Sequence, residues 1–411
     1  MAVGFGAHHG FMASSYAACE RHWKAVRGAT MNSEERRAAR RARRDEKRAA
    51  NRQKRNGGGC SLESIASTDN LYEAARLSAR GVRWKASVQR YEAHVLRNVL
   101  KAHRNLLAGK DIRCGFVRFD LMERGKLRHI TSVRFSERVI QKSISRQALA
   151  PAVWPTLTPG CSANLKGRGT DYALIRLKRQ LAEHQRRHGT EGYILLIDFS
   201  DYFGSISHDA AKALVAKNID DPRVRDLIDL QIDASGDVGL GLGSEPNQIL
   251  AVAIPSPIDH LLERLPGIEA SGRYMDDTYA VAMDKETLRG ALREVRAECE
   301  RLGITINERK TRIVKLTRGF TFLKKHFRYT ETGRIIVRPC RKSLTRERRK
   351  MKKHAAMVRD GRMTLEQARQ SYISWRGSIE KRKGKPRLVM NTHDTVRDFD
   401  RLFFELFGER P

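Results

Sequence analysis

The sequence has six cysteines, at 19, 60, 114, 161, 299 and 340, and no two are spaced as Cys-x-x-Cys. That excludes the common zinc modules and gives no sign of a disulfide framework, so reduced thiols in a cytoplasmic protein are expected. No apolar run is long enough to span a bilayer, which argues against a membrane-spanning protein. Residues 1–30 lack the basic start and compact apolar core of a signal peptide. Met31 opens the strongly charged part, and the stretch ahead of it reads as an upstream extension. There is no internal repeat. Acidic residues are in short supply: 47 Asp and Glu stand against 80 Lys and Arg, a formal net charge of +33. An excess of that size points to a polyanionic partner, nucleic acid ahead of an anionic membrane surface.

What is present suffices for a folded chain. Its 411 residues allow two or three domains, and 40% hydrophobic residues allow a sizeable core. Residues 33–55 are helix-favouring and basic, with Ser33 as a cap, but they carry no apolar stripe. They read as a basic arm that either orders against phosphates or stays mobile, followed by a linker at Asn56-Gly-Gly-Gly59. Residues 61–110 read as helices. Leu71, Ala74 and Leu77, then Trp84, Val88, Tyr91, Val95 and Val99 beyond a break at Gly81, mark the buried faces. A hairpin is expected across 112–131, turning at Arg124-Gly125, with helices around 135–149 and 171–187. Another helix falls near 208–218. A helix over 250–265 must kink at Pro255 and Pro257. Asp284 opens a helix with a stripe of Leu288, Leu292, Val295, Cys299 and Leu302, which Gly303 ends. A strand pair is expected across 304–328, and basic helices across 341–410.

The chemistry-bearing stretch is Gly272-Arg-Tyr-Met-Asp-Asp-Thr-Tyr-Ala-Val-Ala282. Two adjacent carboxylates sit between strand-forming runs, and neighbouring aspartates brought to one place usually bind a cation. A third, Asp198, ends the strand-like run from Tyr193. Three acids on adjacent strands can hold two Mg²⁺ ions for in-line phosphoryl transfer. Taken singly, Asp198 reads equally as a strand-end cap and the pair as a β-turn.

The motif order is more specific than any motif alone. Asp198 is followed by a glycine-rich loop, Gly239-Leu-Gly-Leu-Gly243, with Asn247-Gln248. Then come the Asp276-Asp277 hairpin, a helix, Asn307-Glu-Arg-Lys-Thr311 and Gly319-Phe-Thr-Phe-Leu323. In this the chain resembles the reverse transcriptases over roughly residues 110–330, and more weakly to its C-terminus. The resemblance implies an α+β right-hand polymerase. Its parts are a basic extension (1–60), N-terminal helices and fingers (61–190), a palm with catalytic motifs and primer grip (191–330) and a basic helical thumb (331–411).

It also implies residue roles. Asp198, Asp276 and Asp277 would hold two Mg²⁺ ions, with Mn²⁺ as the substitute and a backbone carbonyl of Phe199 or Ile197 completing a shell. Lys310 matches the lysine thought to protonate departing pyrophosphate, with a solvated helix-end lysine as the alternative. Phe203 would exclude a ribose 2′-hydroxyl, or be a core aromatic with neighbouring Tyr202 taking that role. Gln248 would lie near the incoming nucleotide, although Pro246 and Asn247 depart from the family pattern. Arg128 is the preferred partner of triphosphate oxygens, with Lys126 and Arg138 reading equally as ordinary surface charges, and Arg168 would touch template or nucleotide. Phe320 and Phe322 would support the primer grip or form plain core. Arg346, Arg349 and Lys352 would meet phosphates, and Trp375 would pack thumb helices or stack on a base.

The implied partners are an RNA template, a DNA or RNA primer and dNTPs, with a structured non-coding RNA or small accessory protein as further candidates. No segment is left for an RNase H, integrase or endonuclease domain, so the likeness is to compact bacterial and phage enzymes. Within these, anti-phage defence ranks ahead of diversity generation. A catalytically silent nucleic-acid-binding scaffold and an RNA-directed RNA polymerase are the competing readings. The intact acidic triad weighs against the first and Phe203 against the second.

Overall fold

The computed structural model describes residues 60–123, 126–234, 236–241, 243–380 and 388–411, together with Ala42 and Arg43. The basic arm expected at 33–55, apart from those two residues, and the linker at 56–59 therefore lie outside the described residues. So do the extension before Met31 and the turn at Arg124-Gly125.

Residues 61–110 form four helices: α1 (Leu62–Ala66), α2 (Thr68–Ser78), α3 (Ala86–Ala93) and α4 (Val95–Leu107). The Ser61 hydroxyl caps α1 by accepting from the Ser64 N–H. Leu71, Ala74, Val88, Tyr91 and Val99 are buried as their spacing requires. Trp84 is not: it is 74% exposed. The irregular turn after Gly81 runs past it to Lys85, so Trp84 falls out of phase with α3. Strands β1 (Phe116–Glu123) and β2 (Lys126–Val133) form the expected antiparallel hairpin, with Phe116 opposite Val133. Helix α5 (Phe135–Ile144) continues through a π-helical turn, Ser145–Leu149, into short α6 (Ala150–Val153). Helix α7 (Thr170–His188) buries Leu174, Leu177 and Leu181.

The central sheet follows. After β3 (Tyr193–Ile197) come α8 (Tyr202–Ser205), α9 (His208–Asn218) and α10 (Pro222–Asp233). Helices α11 (Glu245–Ala253) and α12 (Ser256–Leu262) are separated at Ile254 and Pro255, where the prolines require it. Strands β4 (Ala270–Tyr274) and β5 (Asp277–Ala282), helix α13 (Lys285–Arg301) and strand β6 (Arg312–Lys315) complete the unit. The sheet is antiparallel throughout, in the order β4-β5-β3-β6. Its residues alternate between two cores. Leu195, Ile197, Ala280 and Ala282 pack with Leu288 and Val295 of α13. Ile194, Leu196, Tyr279 and Val281 pack with α7 and a second sheet.

That second sheet corrects the strand pair expected across 304–328. It has three strands, β7 (Phe320–Phe322), β8 (Lys325–Tyr329) and β9 (Ile335–Pro339). Strand β6 instead joins β3, because Ile313 faces one core and Val314 the other. The C-terminal helices α14 (Arg341–Arg359), α15 (Leu365–Ile379) and α16 (His393–Phe407) share a core of Met351, Tyr372, Phe399 and Phe403. Thr364 and Gln367 form a capping box on α15. The described chain is thus α+β, with helical layers on antiparallel sheets. Among the described residues, no helix is long and apolar enough to cross a membrane.

Candidate active site

Strand register brings the three acids together. Ile197 is opposite Thr278, so Asp198 and Asp277 occupy the next step of the same pairing. Adjacent strands lie about 4.8 Å apart. Tyr274 pairs with Asp277, leaving Met275 and Asp276 as the two-residue turn between β4 and β5. All three carboxylates therefore crowd one edge of the sheet, each half-buried. The crowding shows in Asp277, whose carboxyl is pushed up to about 7, first by burial and then by the charges of Asp276 and Asp198. Lys310 and Lys324 pull the other way.

Lys310 is delivered by a turn anchored to the same strand end. The Asn307 N–H donates to the Asp198 carbonyl at 2.8 Å, and the Lys310 N–H donates to the Asn307 carbonyl at 3.1 Å. Its ammonium then reaches both Asp198 carboxylate oxygens, at 2.8 and 3.0 Å. That bond holds Lys310 above the ordinary lysine range. The bridge between Phe199 and Ile306 uses the Asp198 carbonyl and the Ser200 N–H, so the Phe199 carbonyl faces the opposite side. Three carboxylates and a turned carbonyl are a hard oxygen donor set, which suits Mg²⁺ or Mn²⁺.

The turn carrying Asp276 is held from beneath by Arg273, which is 1% exposed. Its guanidinium donates to both Asp259 oxygens, at 2.8 and 2.7 Å, in a buried fork. It also donates to the carbonyls of Val252 (2.8 Å) and Met275 (3.2 Å). One side chain thus joins α11, α12 and the turn carrying Asp276. The backbone of Arg273 pairs with the loop at Gly160–Ser162, so that loop travels with the hairpin. Met275 has φ +56°, a left-handed conformation costly for a non-glycine residue, and its carbonyl is one that Arg273 holds.

Glycines let the loop before α11 thread between its neighbours. A Cβ on Gly239 (φ +87°) would lie 2.7 Å from the Gly204 carbonyl, and one on Gly243 (φ +120°) 2.8 Å from the Thr131 carbonyl. The Leu240 N–H donates to the Phe203 carbonyl at 2.7 Å. The loop is therefore fastened to α8 on one side and passes close against β2 on the other. Within α8, Tyr202 is buried and its hydroxyl donates to the Ala251 carbonyl, while Phe203 stays half-buried. Of the two aromatic rings, Phe203 is the more exposed, although it also packs against the main core. Gln248 is exposed and shares a cleft of about 430 Å³ with Arg138, Lys142, Asn164 and Glu245.

Other expected site residues take different places. Lys126 and Arg128 lie on β2 opposite Glu123 and Leu121, and the contacts expected of their side chains lie outside what is described. Arg168 donates to the carbonyls of Thr158 (3.1 Å) and Cys161 (2.7 Å) and lies over the Tyr172 ring, so it braces a loop. Phe320 and Phe322 are buried, at 4% and 3% exposure, and support the second sheet from within instead of presenting their rings. Arg346, Arg349 and Lys352 are exposed on α14. Trp375 packs on Phe399, centroids 4.5 Å apart, inside the C-terminal helical core. Two residues went unremarked in the sequence. Arg273 stood in the quoted motif but carried no sign of burial. Lys324 acts on Asp277 only because a left-handed turn, φ +45° and +63° at Leu323 and Lys324, places the β7–β8 tip there.

No protein-family model matches the chain, and no curated protein matches it. Among solved structures, it is similar to the apo telomerase from Candida tropicalis truncated from the C-terminal domain. That match has 15% identity, a TM-score of 0.42 and 55% coverage of each chain. It is also similar to the apo telomerase from Candida tropicalis, with 12% identity, a TM-score of 0.41, and coverage of 55% of this chain and 48% of that one. The chain thus spans about half the length of each.

Proposed function

We propose that this chain is an RNA-directed DNA polymerase, extending a DNA or RNA primer on an RNA template with dNTPs. One observation carries the reading: Asp198, Asp276 and Asp277 share one sheet edge, and Lys310 reaches the first of them. In the reaction the primer 3′-oxygen forms a bond to the α-phosphorus, the bond from that phosphorus to the bridging oxygen breaks, and pyrophosphate leaves. Two Mg²⁺ ions on the three carboxylates and the Phe199 carbonyl would make the 3′-hydroxyl acidic and neutralise the leaving group.

The chain's own residues do the rest. Lys310 carries a proton within reach of the acids and supplies it to the departing pyrophosphate. Phe203, half-buried on α8, is the residue we assign to exclude a ribose 2′-hydroxyl and so select dNTPs. Gln248, Arg138 and Lys142 line a cleft of nucleotide size, with Arg128 and Lys126 on the adjoining β2. The hairpin β1–β2 and α5 then act as fingers, the central sheet as palm, the β7–β8 turn as primer grip and α14–α16 as thumb. The enzyme works in the cytoplasm, in a bacterial or phage defence system or, second, a diversity-generating one. The resemblance in sequence is the support for that role.

The test is primer extension on an RNA template with purified protein. Mg²⁺-dependent incorporation of dNTPs, absent from Asp276→Ala, is expected, with nucleic-acid binding retained. Full activity in the variant, or binding without incorporation by the wild type, rejects the assignment. Sequencing of nucleic acid co-purified with the protein tests the biological role.

A further inference from the structure

At the end of the central sheet away from the three acids, two histidines and a glutamate meet. His184 and His188 lie one turn apart in the last part of α7, and Glu269 immediately precedes β4. Each offers a ligand atom, and these atoms all lie within 4.8 Å of one another. His184 Nδ1 is 3.0 Å from Glu269 Oε2, and His188 Nε2 is 2.9 Å from Glu269 Oε1.

The bonding of His184 is the informative part. Its Nε2 is 2.8 Å from the Glu191 carbonyl. A carbonyl only accepts, so Nε2 carries the hydrogen. In the neutral ring, Nδ1 then presents a lone pair, and it faces a carboxylate oxygen at 3.0 Å. Two acceptors do not meet at that distance unless a proton or a cation sits between them. The ring is fully buried. A metal-bound histidine has this arrangement: one nitrogen toward the cation, the other donating to a backbone carbonyl that fixes the ring. Gly192 leaves room for the ring, since a Cβ there would overlap Nε2.

We propose that His184 Nδ1, His188 Nε2 and Glu269 form a Zn²⁺ site that ties α7 to the central sheet. Two imidazole nitrogens and one carboxylate are a borderline set that favours Zn²⁺ over Mg²⁺. The His188 side chain is 31% exposed, which leaves a fourth position open to water. Arg187 lies 3.4 Å from Glu269 Oε2, but its side chain is 55% exposed and can turn to solvent. The length of β3 separates this cluster from Asp198, roughly 16–20 Å at the rise of a strand, so the site is structural and independent of the proposed reaction.

The test is titration of chelator-stripped full-length protein with ZnCl₂ by calorimetry, in excess Mg²⁺ so that hard-oxygen sites are filled. The protein carries Cys114→Ser to remove an exposed thiol. One tight equivalent is expected, together with a Zn²⁺-dependent rise in Tm. His188→Gln should weaken binding at least tenfold and abolish the Tm rise while remaining folded without metal, because that ring is partly exposed. Glu269→Gln should do the same. Absence of a stoichiometric equivalent overturns the proposal, as does equal binding in His188→Gln. A Tm loss in Glu269→Gln that is identical with and without Zn²⁺ would show an ion-pair network only.

Discussion

Asp277 sits where its charge is disfavoured. Its carboxyl is raised from 3.8 to about 7 in the fold. A raised folded value means that its contribution to stability is fully present below the unfolded pKa and is lost as pH rises through the folded one. Metal-free protein should therefore weaken between about pH 4 and pH 7, beyond which the penalty is constant. Asp277→Asn should remove it, stabilising metal-free protein at pH 8 by roughly 1–3 kcal/mol after allowance for solvent relaxation, while abolishing synthesis. Melting curves against pH check this: the gap between variant and wild type should close toward acid. Phe203 gives a second residue-scale test. Phe203→Ala should admit NTPs by at least tenfold over wild type, measured as the dNTP to NTP ratio of kcat/KM, because Tyr202 is buried and cannot substitute.

At the scale of elements, Arg273 and Asp259 hold two helices and a strand in register. Arg273→Met leaves Asp259 buried without its partner and should cost about 3–5 kcal/mol. Pairing it with Asp259→Leu should recover most of the Tm, since an apolar pair of similar volume is tolerated there. Synthesis should not recover, because the Met275 carbonyl still lacks its donor; thermal melts and primer extension separate the two effects. Elements with local signals were legible in the sequence. Helix α9 lies over the residues its pattern marks, and Asp284 caps α13 through the Thr287 N–H. A strand in the region of β6 was expected, but its pairing with β3 was not legible, because its four residues begin and end with a cation and only the two cores around Ile313 and Val314 place it there. Nor was the clamp: a charged residue reads as exposed until its partner, 14 positions away, is placed beside it. The acids themselves were legible because they stand at strand ends, where a short run of β-formers marks the address. The roles expected of Phe320, Phe322 and Trp375 failed to separate from packing, because an aromatic at core spacing looks the same in either role.

For the molecule as a whole, charge governs association. With +33 net charge, affinity for nucleic acid should fall linearly with the logarithm of salt concentration. Replacing Arg346, Arg349 and Lys352 by Ala should lower the slope by roughly two to three, at about 0.7–0.9 per phosphate contact, with little dependence on nucleotide sequence. Fluorescence anisotropy across a salt series measures it, and an unchanged slope would move the phosphate track off α14. The pairing of Arg273 with the loop at residues 160–162 has a mechanical consequence. Two backbone hydrogen bonds tie that loop to the strand leading into the acidic turn, so under the proposed function closure of β1–β2 over a nucleotide would hinge at the hairpin's own root. Gly115 stands at that root, at φ +78° with nothing within 4 Å of where a Cβ would sit.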